Sequence, residues 1–276
     1  MSRESDMDIP TEPVADAAMD AKMRELWGKF ERPWVRNMIR ESLPPMRVHS
    51  LGCDFIVHPK DNFTEFKMWE NGLPPEHIAT QEIAERLADT DATIVDVGGN
   101  AGAFFLPILK AAGPKARAVV FEPNPVMQAR LMTNVDLNEL DDRVELFNCA
   151  VGDSESTSKM YFPRNGNLGQ GRVNLQYDHK AATEGDEVAI RPLATCLAEA
   201  GIDHVDFLKV DVEGLEDRVI CPLLQAQGAP MPRLIYFEVA HDGSWHYPLL
   251  DVLAEKGYNQ IETYGMNSLF ERPADA

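Results

Sequence analysis

Asp96-Val97-Gly98-Gly99-Asn100-Ala101-Gly102 stands between an apolar run and a helical stretch. In that context closely spaced glycines let a backbone turn sharply and approach a ligand. The spacing is D-x-G-x-x-x-G. It differs from the G-x-G-x-x-G of dinucleotide sites and argues against a nicotinamide dehydrogenase. Asp96 ends its strand where a carboxylate can bind a cationic group. The next strand ends in Phe121-Glu122-Pro123-Asn124, and Glu122 lies 24 residues after Gly98. A carboxylate there can accept both hydroxyls of a ribose. A third strand ends in Cys149-Ala150-Val151-Gly152-Asp153, whose small apolar groups and polar neighbour suit an adenine. Three consecutive strand ends thus offer a glycine turn, a ribose carboxylate and a base pocket, as a nucleotide-type cofactor requires. The expected cofactor contacts are Asp96, Gly98, Asn100, Gly102, Glu122, Pro123, Asn124, Ala150, Val151 and Asp211.

A second group of residues points to proton handling. Lys209, Asp211 and Glu213 alternate along a fourth strand and its exit, so they tend to share a face. Glu238 ends a fifth strand, and His241, Asp242 and His246 follow it. Neighbouring strands would bring Asp211 and Glu238 about 5 Å apart. His241 is the expected base, because an imidazole titrates near neutrality. Asp211 or Glu238 can hold an acceptor or orient that ring, and Lys209 can pair with either and keep it charged. Catalytic roles are therefore expected for His241, Asp211, Glu238 and Lys209. Asp211, Glu238, His241 and His246 also make a mixed oxygen and nitrogen set for a divalent metal. No two of them have a diagnostic helical spacing, so no metal is expected.

These residues need a scaffold that ends several strands at one edge. Compact apolar or β-branched runs occur at Thr93 to Val97, Ala118 to Phe121, Val144 to Cys149, Phe207 to Val210 and Leu234 to Phe237. Helical patterns lie between them: Phe104 to Ala112, Pro125 to Leu137, Leu215 to Leu224 and Tyr247 to Lys256. Such alternation predicts an α/β fold with a doubly wound, mostly parallel, seven-stranded Rossmann-like sheet. Tyr258 to Thr263 and Ser268 to Arg272, around Tyr264-Gly265-Met266-Asn267, read as a terminal antiparallel hairpin. Between residues 153 and 192 the alternation is interrupted. Asn165-Gly166-Asn167-Leu168-Gly169-Gln170-Gly171-Arg172 reads as the tip of an inserted hairpin, either a specificity loop or a plain solvated connection.

Upstream, residues 1–20 carry six acidic residues and one basic and read as a disordered tail. From Ala21 to Ser50 the balance reverses to seven basic and three acidic. Met23, Leu26, Trp27, Phe30, Trp34 and Met38 recur at helical spacing, interrupted at Pro33. Residues 21–90 are expected as a helical and β appendage to a Rossmann-like domain over 91–276. The appendage can pack on that domain or form a homodimer contact. Alternatively, Arg32, Arg36 and Arg40 can form a lid for an anionic substrate. Val48 to Pro59 has β-like character, and Glu76 to Ala88 reads as a helix after Pro74-Pro75.

The whole chain of 276 residues has 26 Lys and Arg against 45 Asp and Glu, a formal charge of −19. That balance disfavours a phosphate-gripping, nucleic-acid-binding protein. Cys53, Cys149, Cys196 and Cys221 form no C-x-x-C pair and read as reduced thiols of a cytoplasmic protein. There is no apolar run of membrane-spanning length and no signal-peptide pattern.

The segments T-I-V-D-V-G-G-N-A-G, V-F-E-P-N-P, N-C-A-V-G-D, F-L-K-V-D-V-E-G-L-E and L-I-Y-F-E-V, in this order, resemble the FkbM-type class I methyltransferases. The likeness covers about Val48 to Phe270, and K-V-D-V-E-G followed by a strand ending in Glu is its most diagnostic part. It implies S-adenosylmethionine as cofactor and methyl transfer, commonly to oxygen on sugars or natural products. It also implies that Gly98, Asn100 and Gly102 contact the methionine moiety, Glu122 the ribose, and Ala150 and Val151 the adenine. Where the family often shows T-L-D before the fourth strand, this chain has Leu193-Ala194-Thr195-Cys196-Leu197. The expected function is O-methylation of a saccharide or small-molecule hydroxyl. The alternatives are a nucleic-acid methyltransferase, kept open by the basic segment Lys22 to Arg47, and a non-catalytic cofactor-binding assembly module.

Overall fold

The computed structural model describes residues 14–164, 166–173 and 182–273. The chain opens with α1 (Ala17–Lys29) and α2 (Pro33–Glu41), then a hairpin of β1 (Met46–Ser50) and β2 (Cys53–Val57). Next come α3 (Phe63–Asn71) and α4 (His77–Leu87). The alternating part runs β3 (Thr93–Val97), α5 (Phe105–Ala111), β4 (Arg117–Phe121), α6 (Pro125–Leu137) and β5 (Val144–Phe147). An insert of β6 (Ala150–Gly152), β7 (Ser156–Pro163) and β8 (Ala182–Pro192) follows, with a short turn of 3₁₀ helix at Leu168–Gln170. The chain returns through α7 (Leu193–Glu199), β9 (Phe207–Val210), α8 (Glu216–Gln225), β10 (Leu234–Glu238), α9 (Leu249–Glu255), β11 (Asn259–Tyr264) and β12 (Asn267–Glu271).

The main sheet has seven strands in the order β11-β12-β10-β9-β3-β4-β5. The pairs β10–β9, β9–β3, β3–β4 and β4–β5 are parallel, and the β11–β12 hairpin closes one edge antiparallel. This is the expected doubly wound, Rossmann-like sheet. Side chains alternate between its faces. Ile94, Ala118, Val120, Phe207, Leu234 and Tyr236 enter one apolar layer, with residues of α4, α5 and α6. Val95, Val97, Val119, Phe121, Leu208, Val210, Ile235 and Phe237 enter the other, with residues of α7, α8 and α9. Strands buried on both faces read as continuous apolar runs, which is why they were legible.

The N-terminal segment shares the first layer: Met23, Met46, Phe55, Phe66 and Trp69 belong to the same core as Ile94 and Leu131. Two asparagines, Asn134 in α6 and Asn138 at its C-terminal cap, satisfy the open edge of β2. Asn134 Oδ1 accepts from Ile56 N at 2.8 Å, and Asn138 Oδ1 accepts from Asp54 N at 3.0 Å. The change of pattern near residue 90 is therefore crossed by one continuous core. Helix α1 starts at Ala17, inside the stretch read as a tail. Asp16 caps it by accepting from Met19 N at 2.8 Å, and Asp20 accepts from Trp69 Nε1 at 2.8 Å. Residues 1–13 of the expected tail lie outside the described residues. The arginine lid is not formed. Arg36 stacks on Trp27 and donates to Phe30 O, and Arg40 lies over Phe66 and donates to Pro59 O. Arg32 precedes Pro33 at the start of α2. Trp27 packs edge-on against Phe66 and Trp69, whereas Trp34 and Met38 stay exposed. The four cysteines are free and buried. Among the described residues no helix is long and apolar enough to cross a membrane.

Candidate active site

The strand ends meet as expected, and the glycine turn fixes how closely. Gly98 has φ +87°, and a Cβ placed on it would lie 2.1 Å from the carbonyl oxygen of Asp211. Only glycine lets β3 and β9 exit this close together. The turn is tied to β4 by Gly98 N and Gly99 N, which both donate to Phe121 O. Asn100 is also left-handed, at φ 49°. Its Oδ1 accepts from Ala101 N at 2.9 Å and from Asn62 Nδ2 at 2.8 Å, so the loop before α3 braces the turn.

Glu122 closes the next corner. Its Oε2 accepts from Asn100 N at 2.9 Å and its Oε1 from Asn124 N at 2.8 Å. Burial pushes the carboxyl up to about 7, and the two backbone donors oppose that rise. An ionised carboxylate has roughly four acceptor positions, so two remain for ligand hydroxyls. Gly98, Asn100, Glu122, Pro123, Ala150, Val151 and Asp211 line one cleft of about 670 Å³, counting its part open to solvent. Asn124 is not in its wall: its side chain caps α6 by accepting from Val126 N, and reaches Leu168 O at 3.4 Å. Gly102 lies outside the wall as well; with φ +84° it turns the chain into α5.

The insert supplies a roof. Met160, Leu168, Gly169, Gly171 and Val173 line the same cleft. Leu168 N donates to Asp61 O at 2.8 Å, and Phe63 N donates to Asn167 Oδ1 at 3.2 Å. The glycine-rich tip is thereby pinned to the loop before α3. Asn165 of that tip lies outside the described residues. Arg172 pairs with Glu213 at 2.7 Å where the cleft passes into a wider groove lined by Trp245 and His246.

Beside the turn, Lys209 is buried with three carboxylates around it. Its Nζ lies 3.4 Å from Asp96 Oδ1, 3.4 Å from Asp211 Oδ2 and 3.3 Å from Gly98 O. Asp96, expected among the cofactor contacts, therefore has this chain's own lysine as its cation and is not in the wall of the cofactor cleft. Burial pushes Asp96 up to about 6, and Lys209 opposes that shift. Burial alone would lower the lysine, but Asp96, Asp211 and Glu76 together raise it above its ordinary value. A lysine held charged cannot take a proton, so Lys209 acts as a fixed cation. Its expected partner Asp211 is present, whereas Glu238 pairs elsewhere. A second compartment of about 390 Å³, counting its part open to solvent, is lined by Gly98, Asn100, Lys209 and Asp211 together with Thr64, Pro75 and Glu76.

Glu238 and Asp211 follow the paired residues Phe237 and Val210, so the expected juxtaposition of the two strand ends is present. His241 Nε2 lies 3.3 Å from Glu238 Oε2, so these two side chains come together. His241 lines neither compartment; it sits beside Gly214. His246 is further away. Its backbone N donates to Asp217 Oδ2 at 2.7 Å, and its ring packs edge-on against Tyr247. Of the candidate metal set, Glu238 and His241 come together, Asp211 faces Lys209, and His246 stands apart. Among the described residues no three His, Cys, Asp or Glu side chains are placed to hold a metal ion.

A family model described as the methyltransferase FkbM domain matches residues 96–259, which include every strand end described above. The chain belongs to this family. Among curated relatives it is 32% identical over 152 residues to methyltransferase sdnD of Sordaria araneosa, a match covering 46% of this chain and 58% of that one. It is 30% identical over 152 residues to the 2-O-methyltransferase NoeI of Sinorhizobium fredii, covering 51% of this chain and 60% of that one. The chain thus spans about three-fifths of the length of these relatives. Among solved structures, methyltransferase FkbM from Methylobacillus flagellatus KT aligns with 92% of this chain and 58% of its own, at 13% identity and TM-score 0.42.

Several residues of this FkbM-domain site had no sequence expectation attached. Asn62 comes from a loop, and a loop's place over a cleft is a tertiary fact. Glu76 is different: an acid directly after Pro74-Pro75, at the start of a helix, is a visible signal.

Proposed function

We propose that this protein is an S-adenosylmethionine-dependent methyltransferase acting on a hydroxyl oxygen of a saccharide or small natural product. The observation that carries the reading is the single cleft joining Gly98, Glu122, Ala150 and Val151 under the insert's roof. The residues fit an adenosyl group: Glu122 keeps acceptor positions open, and the absent side chain of Gly98 leaves room for close backbone approach. Bound there, the cofactor brings an electrophilic sulfonium methyl group, and the protein supplies orientation and exclusion of water. Gly98 and Asn100 would hold the methionine end, Glu122 the ribose, and Ala150 and Val151 the base. Lys209 pairs with Asp96 and Asp211 and holds both beside the turn. The hydroxyl acceptor draws support from the 2-O-methyltransferase NoeI, a relative at 30% identity. A nucleic-acid acceptor is disfavoured, because the net charge is −19 and Arg36 and Arg40 are engaged in packing.

The test is transfer from cofactor labelled with a deuterated methyl group to a panel of monosaccharides, glycosides and hydroxylated metabolites. The expected product is a labelled methyl ether, located on oxygen by mass spectrometry and NMR. Label found on nitrogen, or on an added RNA, would replace this reading.

A further inference from the structure

Glu76 is the first residue of an unusual junction. It occupies the cap position of α4, yet its side chain makes no capping hydrogen bond. It reaches instead across to the sheet. Tyr236 Oη of β10 donates to Glu76 Oε1 at 2.9 Å, and Asn267 Nδ2 of β12 donates to the same oxygen at 3.2 Å. Oε2 has no hydrogen-bond partner among the described residues. The carboxylate lines the second compartment, together with Lys209, Asp211 and the glycine turn. Gly98, Asn100 and Asp211 also line the cofactor cleft, so the two spaces meet at the point where β3 and β9 diverge.

Resting on the methyltransferase reading above, we propose that this compartment seats the acceptor's hydroxyl group and that Glu76 is the residue that takes its proton. Two donors on Oε1 fix the carboxylate, and Oε2 is left as the hydrogen-bond acceptor a hydroxyl requires. In the transfer, a new bond forms between the acceptor oxygen and the methyl carbon. The bond from that carbon to sulfur breaks, and its electron pair stays on sulfur, which becomes a neutral thioether. The hydroxyl proton passes to Glu76, leaving a methyl ether and a protonated carboxyl. Burial, opposed by Lys209 and by the Tyr236 hydroxyl and assisted by Asp211 and Asp96, pushes the Glu76 carboxyl up to about 7, a useful value for a base near neutral pH. With Glu76 and Asp211 facing one lysine, the compartment favours a neutral hydroxylated acceptor over a carboxylate or phosphate.

The test uses binding, so it needs no knowledge of the natural acceptor. Two cofactor analogues are titrated into the full chain by calorimetry, each with nitrogen in place of sulfur. One carries a hydroxyalkyl group where the methyl would be, and the other the matching alkyl group. S-adenosylhomocysteine is titrated alongside. The wild type should prefer the hydroxyl analogue by about tenfold or more. Glu76→Gln should lose most of that preference and bind S-adenosylhomocysteine within about twofold of wild type. Tyr236→Phe keeps the carboxylate but removes one donor, so its preference should disappear at a higher pH than in the wild type. Equal binding of the two analogues to the wild type, or an undiminished preference in Glu76→Gln, overturns the proposal. A large loss of S-adenosylhomocysteine binding in Glu76→Gln would assign Glu76 to the cofactor instead. If Glu76→Gln does not fold, Tyr236→Phe decides, and an unshifted pH dependence there counts against Glu76. Failure of S-adenosylhomocysteine to bind the wild type would defeat the underlying cofactor reading, a result distinct from all of these.

Discussion

At the scale of single residues, the site depends on atoms that are absent as much as on those present. Gly98 lets the β3 exit lie against Asp211, and Glu122 braces the same turn while keeping lone pairs open. Replacing Glu122 with Ala removes ligand hydrogen bonds to a charged group. The expected loss of cofactor affinity is on the order of 2–4 kcal/mol, read by calorimetry. Unchanged affinity would leave Glu122 as a purely structural brace. Gly98 and Glu122 were legible in the sequence, because a glycine after a strand and an acid after the next have narrow physical meanings. Asp96 was legible as a partner for a cation. That the cation is Lys209 followed only from the pairing of β3 with β9, which matches Asp96 to Lys209 across the sheet. His241 was chosen for its intrinsic chemistry, but the chain beyond β10 carries it to Gly214, outside both compartments.

At the scale of elements, the insert and the N-terminal segment act together. The tip Leu168–Gln170 roofs the cleft and is bonded to the loop before α3. A Cβ on Gly169 would lie 2.7 Å from Asn100 Nδ2 and 2.9 Å from Asn62 Nδ2. Gly169→Val should therefore push the roof off the glycine turn. Its cofactor affinity should fall by about tenfold, roughly 1.4 kcal/mol, while the melting temperature barely moves. Equal affinity in the variant would dissociate the roof from the cofactor. Helix α1 earns its place through Asp20, which binds Trp69 and Arg24. Asp20→Ala should destabilise the chain by about 1–2 kcal/mol in denaturant unfolding. A change near zero would return this stretch to the status of a loose tail. The tail reading came from composition, and composition does not register a capping aspartate followed by an amphipathic turn. Similarly, α3 had no expectation attached, although Asn62 caps it by accepting from Glu65 N.

At the scale of the whole molecule, doubly wound topology explains why so much was legible. Strands buried on both faces leave an unmistakable apolar signature, and their order brings the chemistry to one edge. The compartments between the edge and the N-terminal segment were not legible, because no local pattern encodes which loop folds over which strand. Burying carboxylates at that edge also has a global consequence. Asp96 and Glu122 rise from ordinary values of 3.8 and 4.5 to about 6 and about 7 on folding. The folded chain therefore holds more protons than the unfolded chain between those values, and stability falls as pH rises through the window. Each group should contribute about 3 kcal/mol to that decline. Asp54 and Glu82, lowered by their partners, act oppositely at more acidic pH. Melting of the ligand-free protein should thus show a maximum near about pH 5 and a decline toward pH 8. A melting temperature that rises through neutrality would contradict this charge arrangement. The most direct test of the central claim is calorimetric titration of the full chain with S-adenosylhomocysteine, with NAD as the control. The account predicts binding in the micromolar range by the former and none by the latter. Binding of NAD, or of neither compound, would contradict it.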